Sequence, residues 1–143
     1  MIDRQILLEK MKTSPYRPMR GEIIEARMLT DKEKFFRIEL EENIELQHQP
    51  GQFVMASIFG YAEAPISICS SPTDKGYFEL TVRNVGVFTD KLHTLGEGDV
   101  LGIRGPFGKG FPVDNMFGYD AVIVAGGLGV VPLRSLIRYI MYN

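Results

Sequence analysis

The residues with the most chemical content lie near the C-terminal end of the 143-residue sequence. Gly126, Gly127 and Gly129 follow directly on an apolar run at residues 121–125. Such a run suits a strand buried on both faces. Beyond the glycines, Val130, Leu133, Leu136, Ile137 and Ile140 recur at helical spacing. Strand, glycine turn and helix, in that order, open a βαβ nucleotide-binding unit. Its glycines let the backbone approach a pyrophosphate held at the helix N-terminus. Gly126-Gly127-Leu128-Gly129 alone is a weak signal, because close helix–strand packing also asks for glycine. A second turn, Gly86-Val87-Phe88-Thr89, leads into an expected helix at residues 89–95, with Thr89 as N-cap and Gly96 as stop. Free amides at such a turn attract an anion.

Other chemistries find little support. His48 and His93 have no second ligand nearby in sequence, and each reads as a surface residue. The single cysteine, Cys69, excludes an intramolecular disulfide and an all-cysteine metal site; it reads as a small core residue. No Ser/His/Asp set at a recognisable spacing supports hydrolysis. Sixteen basic residues against 18 acidic give a net charge of −2 with no basic block, which argues against nucleic acid. No apolar run is long enough to span a membrane, and the charged N-terminus is not a secretory signal. A cytoplasmic location is the default expectation.

The elements that must hold these turns are mostly strands. Residues 1–13 have the spacing of a short amphipathic helix, which the prolines at 15 and 18 end. Strands are expected at residues 22–29, 35–40, 53–58, 64–69, 77–83 and 100–104, closed by Gly105-Pro106-Phe107-Gly108. Six short strands with frequent turns predict an all-β, antiparallel, six-stranded barrel interrupted by one helix. A boundary near residues 113–119 divides the chain into an N-terminal segment (1–16), the barrel (17–116) and the start of a nucleotide-binding domain (117–143). Because one strand cannot make a parallel sheet, the last part reads as the first βα unit of a truncated Rossmann-like α/β domain.

Four segments in this order resemble the ferredoxin–NADP reductase family. Ala64-Pro65-Ile66-Ser67-Ile68-Cys69-Ser70 matches its flavin segment, and Gly86-Val87-Phe88-Thr89 its turn before the flavin pyrophosphate. Gly105-Pro106-Phe107-Gly108 matches the barrel end, and residues 126–132 match the nicotinamide-nucleotide loop. Pro65-Ile66-Ser67-Ile68 is similar to one branch, the electron-transfer subunit of dihydroorotate dehydrogenase and the gamma subunit of sulfhydrogenase or nickel–iron hydrogenase. The stretch from Ser14 to Pro18 resembles the hydrogenase-type subunits.

The resemblance implies FAD held by Pro65, Ile66, Ser67, Val82, Arg83, Gly86, Phe88 and Thr89. It implies NAD(P)H held by Gly126, Gly127, Leu128 and Gly129 in the intact protein. Electrons would then pass to an iron–sulfur partner within a hydrogenase- or dehydrogenase-type complex. No catalytic acid or base is assigned, and any [2Fe–2S] cluster would lie beyond residue 143. Two departures weaken the pattern: Ala64 stands where many members have arginine, and Ile66 where many have tyrosine. They leave open an alternative, a non-enzymatic subunit or regulatory module that uses the barrel for protein contacts. Residues 120–143 are expected to be disordered, to pack back on the barrel, or to pair with another copy as a homodimer. The chain alone is expected not to reduce FAD with NADH or NADPH at a useful rate.

Overall fold

The computed structural model describes Ser14 and residues 16–143. The helix expected at residues 1–13 lies outside the described residues. The strands are β1 (Met19–Met28), β2 (Glu33–Leu40), β3 (Phe53–Ile58), β4 (Ala62–Ser67), β5 (Phe78–Arg83) and β6 (Val100–Phe107). Helix α1 (Val87–His93) sits between β5 and β6, and α2 (Val130–Tyr142) ends the chain. All six strands form one antiparallel sheet in the order β4-β3-β6-β1-β2-β5.

Period-two alternation explains the core. Phe36, Ile38 and Leu40 of β2 point inward with Phe78, Leu80 and Val82 of β5. Ile23, Val54, Ala56, Leu101 and Ile103 fill the same core, and Leu92 of α1 plugs one end. A bulge at residues 23–25 of β1 shifts its register against β2. Gly21 marks a close crossing of strands. A Cβ there would stand 2.6 Å from Ile38 Cγ2 and 3.1 Å from Ile103 Cγ1.

Two expectations need correction. The sheet curls, but its edge strands β4 and β5 do not pair as a ladder. One isolated bridge, Ile68 to Leu80, joins the end of β4 to β5, with Cys69 N donating to Glu79 O at 2.9 Å. Closure stops there because the chain leaves β4 after Ser67 to turn through Ser70 and Ser71. The second correction concerns residues 121–125, which form no strand. Val122 and Val124 are 88% and 87% exposed. A strand exists only when its amides find partners alongside, and none of the described residues supplies that ladder. Of the strand, glycine turn and helix expected at residues 121–140, the structure contains the turn and α2 but not the strand.

The histidines also differ from expectation. His48 is buried, and its Nε2–H donates to Ser70 O at 3.0 Å. Burial pushes its pKa down. His93 is half-buried, with Nε2–H donating to Val82 O at 2.9 Å and its ring edge-on to Phe36. Cys69 is buried as expected, and burial raises its thiol pKa.

Overpacking a close strand crossing costs about 1–3 kcal/mol. Gly21→Ala should therefore lower the unfolding free energy from urea melts by that amount; an unchanged value would show that Ile38 and Ile103 give way freely.

Candidate functional site

A cleft of about 370 Å³ opens between β4, β5 and the start of α2. One side carries Ala64, Pro65, Ile66 and Ser67, the floor Thr81, Val82 and Arg83, and the far side Leu128, Val131 and Pro132. Val85 and Thr89 close one end. Pairing accounts for the first wall: β4 runs antiparallel to β3, setting Ile66 opposite Val54 and Pro65 opposite Met55. As the sheet edge, β4 accepts a proline that lacks an amide donor.

Of the residues proposed from sequence, Pro65, Ile66, Ser67, Val82, Arg83, Thr89 and Leu128 line this one cleft. The Val82 side chain itself points into the core, and Phe88 packs against that core from α1. Gly86, Gly126 and Gly129 lie outside the lining. Gly127 lines a neighbouring cleft of about 400 Å³, which shares Thr81, Arg83, Leu128 and Val131 and adds Arg27, Glu33, Phe35 and Arg134.

Thr89 is not the N-cap. Gly86 holds that position, and Thr89 sits three residues into α1. Its Oγ1 accepts from Val85 N and Gly86 N, each at 2.9 Å. The hydroxyl thus shapes the turn itself. Arg83 is engaged by Glu33 as well. Glu33 is held below the usual carboxylate range by the Thr30 hydroxyl and then by Arg83.

The glycines test whether a flat, phosphate-bearing cofactor fits. Gly86 has an extended φ of 173°, which any residue adopts, and open space where a Cβ would stand. Gly126 and Gly129 have negative φ, and they too have open space. Nothing among the described residues requires glycine at these three positions, so the backbone there is open to close approach from outside. Gly127 differs, since its φ of +53° favours glycine by conformation. Together with the apolar walls, these turns fit FAD.

The sequence reading missed the charged cluster beneath α2. Register aligns Glu25 with Arg37 and Arg37 with Glu79 across β1, β2 and β5. Arg37 bonds Glu25 at 2.8 Å and Glu79 at 2.8 Å. From α2, Arg134 Nη1 donates to Glu79 Oε2 at 2.6 Å and to Cys69 O at 2.8 Å. Arg138 reaches Glu79 at 3.4 Å and Asp74 at 3.0 Å. Glu79 is fully buried. Burial alone would raise its pKa, but hydrogen bonds from Arg37 and Arg134 outweigh that and hold it below the ordinary value of 4.5. The one sequence signal was alternation, which puts Glu79, Thr81 and Arg83 on the face opposite Phe78, Leu80 and Val82.

Removing one partner from a buried ion pair costs about 3–5 kcal/mol. Glu79→Gln should therefore destabilise the protein by about 3 kcal/mol at pH 7. A lowered folded-state pKa contributes stability above the unfolded value and loses it as pH falls through the folded value. The wild-type advantage over Glu79→Gln should therefore persist at neutral pH and vanish as pH drops below 4.5. Urea melts between pH 7 and about 3 check this; a constant difference across the range would contradict it.

Comparison with known proteins agrees with this geometry. The family described as the oxidoreductase FAD-binding domain matches residues 20–111. Sulfhydrogenase 2 subunit gamma of Pyrococcus furiosus is 47% identical over 88% of this chain and 44% of its own length. Sulfhydrogenase 1 subunit gamma of the same organism is 43% identical over 100% of this chain and 49% of its own. A probable dihydroorotate dehydrogenase B (NAD(+)) electron transfer subunit from Methanothermobacter thermautotrophicus is 44% identical over 62% of this chain and 32% of its own. The chain thus spans about half the length of the sulfhydrogenase subunits. Among solved structures, Amycolatopsis cytochrome P450 reductase superposes with a TM-score of 0.76 at 26% identity, covering 88% of this chain and 39% of that one. Phthalate dioxygenase reductase shares the fold, with a TM-score of 0.70 at 15% identity over 91% of this chain and 42% of its own. No helix among the described residues is long and apolar enough to cross a membrane. A curled antiparallel sheet and a family match over most of its length make this chain a member of the FAD-binding oxidoreductase family, with a ferredoxin-reductase-like fold.

Proposed function

We propose that the chain holds FAD in the cleft between β4, β5 and α2. There it serves electron transfer between a nicotinamide nucleotide and an iron–sulfur partner, as a subunit of an oxidoreductase complex. The observation that carries this reading is convergence. Pro65, Ile66, Ser67, Arg83, Thr89 and Leu128 come from separate parts of the chain and line one cleft. Its walls are largely apolar, which suits a flat ring system, and few polar groups fix the orientation. Ile66 and Pro65 would pack on one ring face by dispersion. The backbone at Gly86 would lie along the pyrophosphate, with Thr89 holding the turn in shape. Gly126, Gly127, Leu128 and Gly129 would meet the nicotinamide nucleotide.

FAD bound there would supply hydride acceptance and single-electron release. The protein's residues bind, orient and exclude water. The similarity to an electron transfer subunit whose name includes NAD(+) supports the choice of donor, and the sulfhydrogenase subunits support a place within a complex.

The purified protein should show flavin absorption in the visible region, and acid release should yield FAD; a colourless protein that takes up no added FAD would sink the reading. Thr89→Val leaves the Val85 and Gly86 amides without their acceptor, at a cost of about 1–3 kcal/mol. FAD affinity measured by fluorescence quenching should fall accordingly. Ala64→Arg places a guanidinium on the cleft wall, where it can meet phosphate with two hydrogen bonds. It should tighten FAD by about tenfold, since a bond to a charged group is worth about 1.5–3 kcal/mol. Equal or weaker binding with unchanged circular dichroism would reject that placement.

A further inference from the structure

Helix α2 docks through both apolar and charged side chains. Val130 and Ile140 are 46% and 41% exposed, whereas Val131, Ser135 and Leu136 are buried. Arg134 and Arg138 lie on the docked side, three and seven residues after Val131. They reach across to Glu79, Cys69 and Asp74. The connection from β6 to α2 contains no strand, so no ladder ties α2 to the sheet. Yet Leu128, Val131 and Pro132, at the start of that helix, form one whole wall of the cleft. The opposite boundary includes Thr81, two residues beyond Glu79 on β5.

We propose that Arg134 and Arg138, acting through Glu79, are positioning residues that set the width of the flavin cleft. This rests on the flavin reading above. Glu79 is at once part of β5 and the counter-charge of α2. Its carboxylate therefore fixes how far the Leu128–Val131–Pro132 wall stands from the Thr81–Arg83 floor. Arg134 lies one helical turn beyond Val131, so its anchor acts directly on the turn that forms the wall. Arg37 holds the other carboxylate oxygen from β2. Glu79 thus keeps a partner within the sheet if the helix lets go, and the cleft can be loosened while the sheet stays intact.

The test compares wild type with two double variants, Arg134→Met with Arg138→Met and Arg134→Lys with Arg138→Lys. Methionine keeps helix propensity and apolar bulk without charge; lysine keeps the charge. FAD dissociation constants are read by flavin fluorescence. Amide hydrogen exchange is followed in residues 130–142 and, separately, in β2 and β5. Coupling between a docking contact and a bound ligand is usually worth about 5–150-fold. The methionine pair should weaken FAD about tenfold or more and lose protection in residues 130–142 only, while the lysine pair regains most of both. FAD affinity within about twofold of wild type for the methionine pair would overturn the proposal. So would unchanged protection of residues 130–142, or protection lost equally in β2 and β5. Wild-type protein that takes up no FAD would instead overturn the flavin reading, and with it this role for the clamp.

Discussion

A carboxylate sealed from water holds this molecule together. Glu79 sits on β5, fully buried, between a sheet and a helix. Isolated in that setting, the charge would cost several kcal/mol in lost hydration. Arg37 meets one oxygen from within the sheet, and Arg134 and Arg138 meet the other from α2. Burial would favour the protonated acid, but the guanidiniums of Arg37 and Arg134 favour the anion, and the anion wins. Because that match requires α2, the sheet's outer face and the helix are interdependent. The row Glu25–Arg37–Glu79 runs across β1, β2 and β5, so the ionic network spans half the strands of the sheet.

The cleft follows from that docking. One wall belongs to an edge strand, β4, whose proline and isoleucine are free to face a ligand because no further strand pairs beyond them. The other wall belongs to the first turn of α2. Between them, β5 contributes Thr81 and Arg83, on the same side of the strand as Glu79. The turns on either side use glycine for two distinct reasons. Gly127 needs it for a positive φ, whereas Gly86, Gly126 and Gly129 leave open space that a side chain would fill. Thr89 spends its hydroxyl on the backbone of its own turn, which presents the Gly86 amide region in a set shape.

Strand legibility depended on how local each pattern was. Phe53–Ile58 emerged at its expected bounds, and β5 differed by one residue, because alternation between core and surface is written in neighbouring side chains. Segment 64–69 was displaced by two residues relative to Ala62–Ser67, since Ile68 and Cys69 leave β4 for a bridge to β5. The sixth strand ran to Phe107, past a Gly-Pro pair that reads as a stop, because Phe53 on β3 pairs with Phe107. His48 looked like a surface residue because its partner, the Ser70 carbonyl, is 22 positions away and carries no side-chain signature.

By itself, the sequence determined which residues alternate into a core, where the chain must turn, and which two glycine turns lead into helices. Those properties depend on backbone preferences and side-chain periodicity, and both are local. Tertiary structure alone decided the remainder. It left residues 121–125 without a ladder, because a strand needs partners that its own sequence does not contain. It left the sheet joined at one bridge between Ile68 and Leu80, where two distant strands approach. It brought Arg134 and Arg138 of α2 onto Glu79 beside the buried Val131 and Leu136, a pairing that no local pattern encodes because Glu79 lies 55 residues from Arg134.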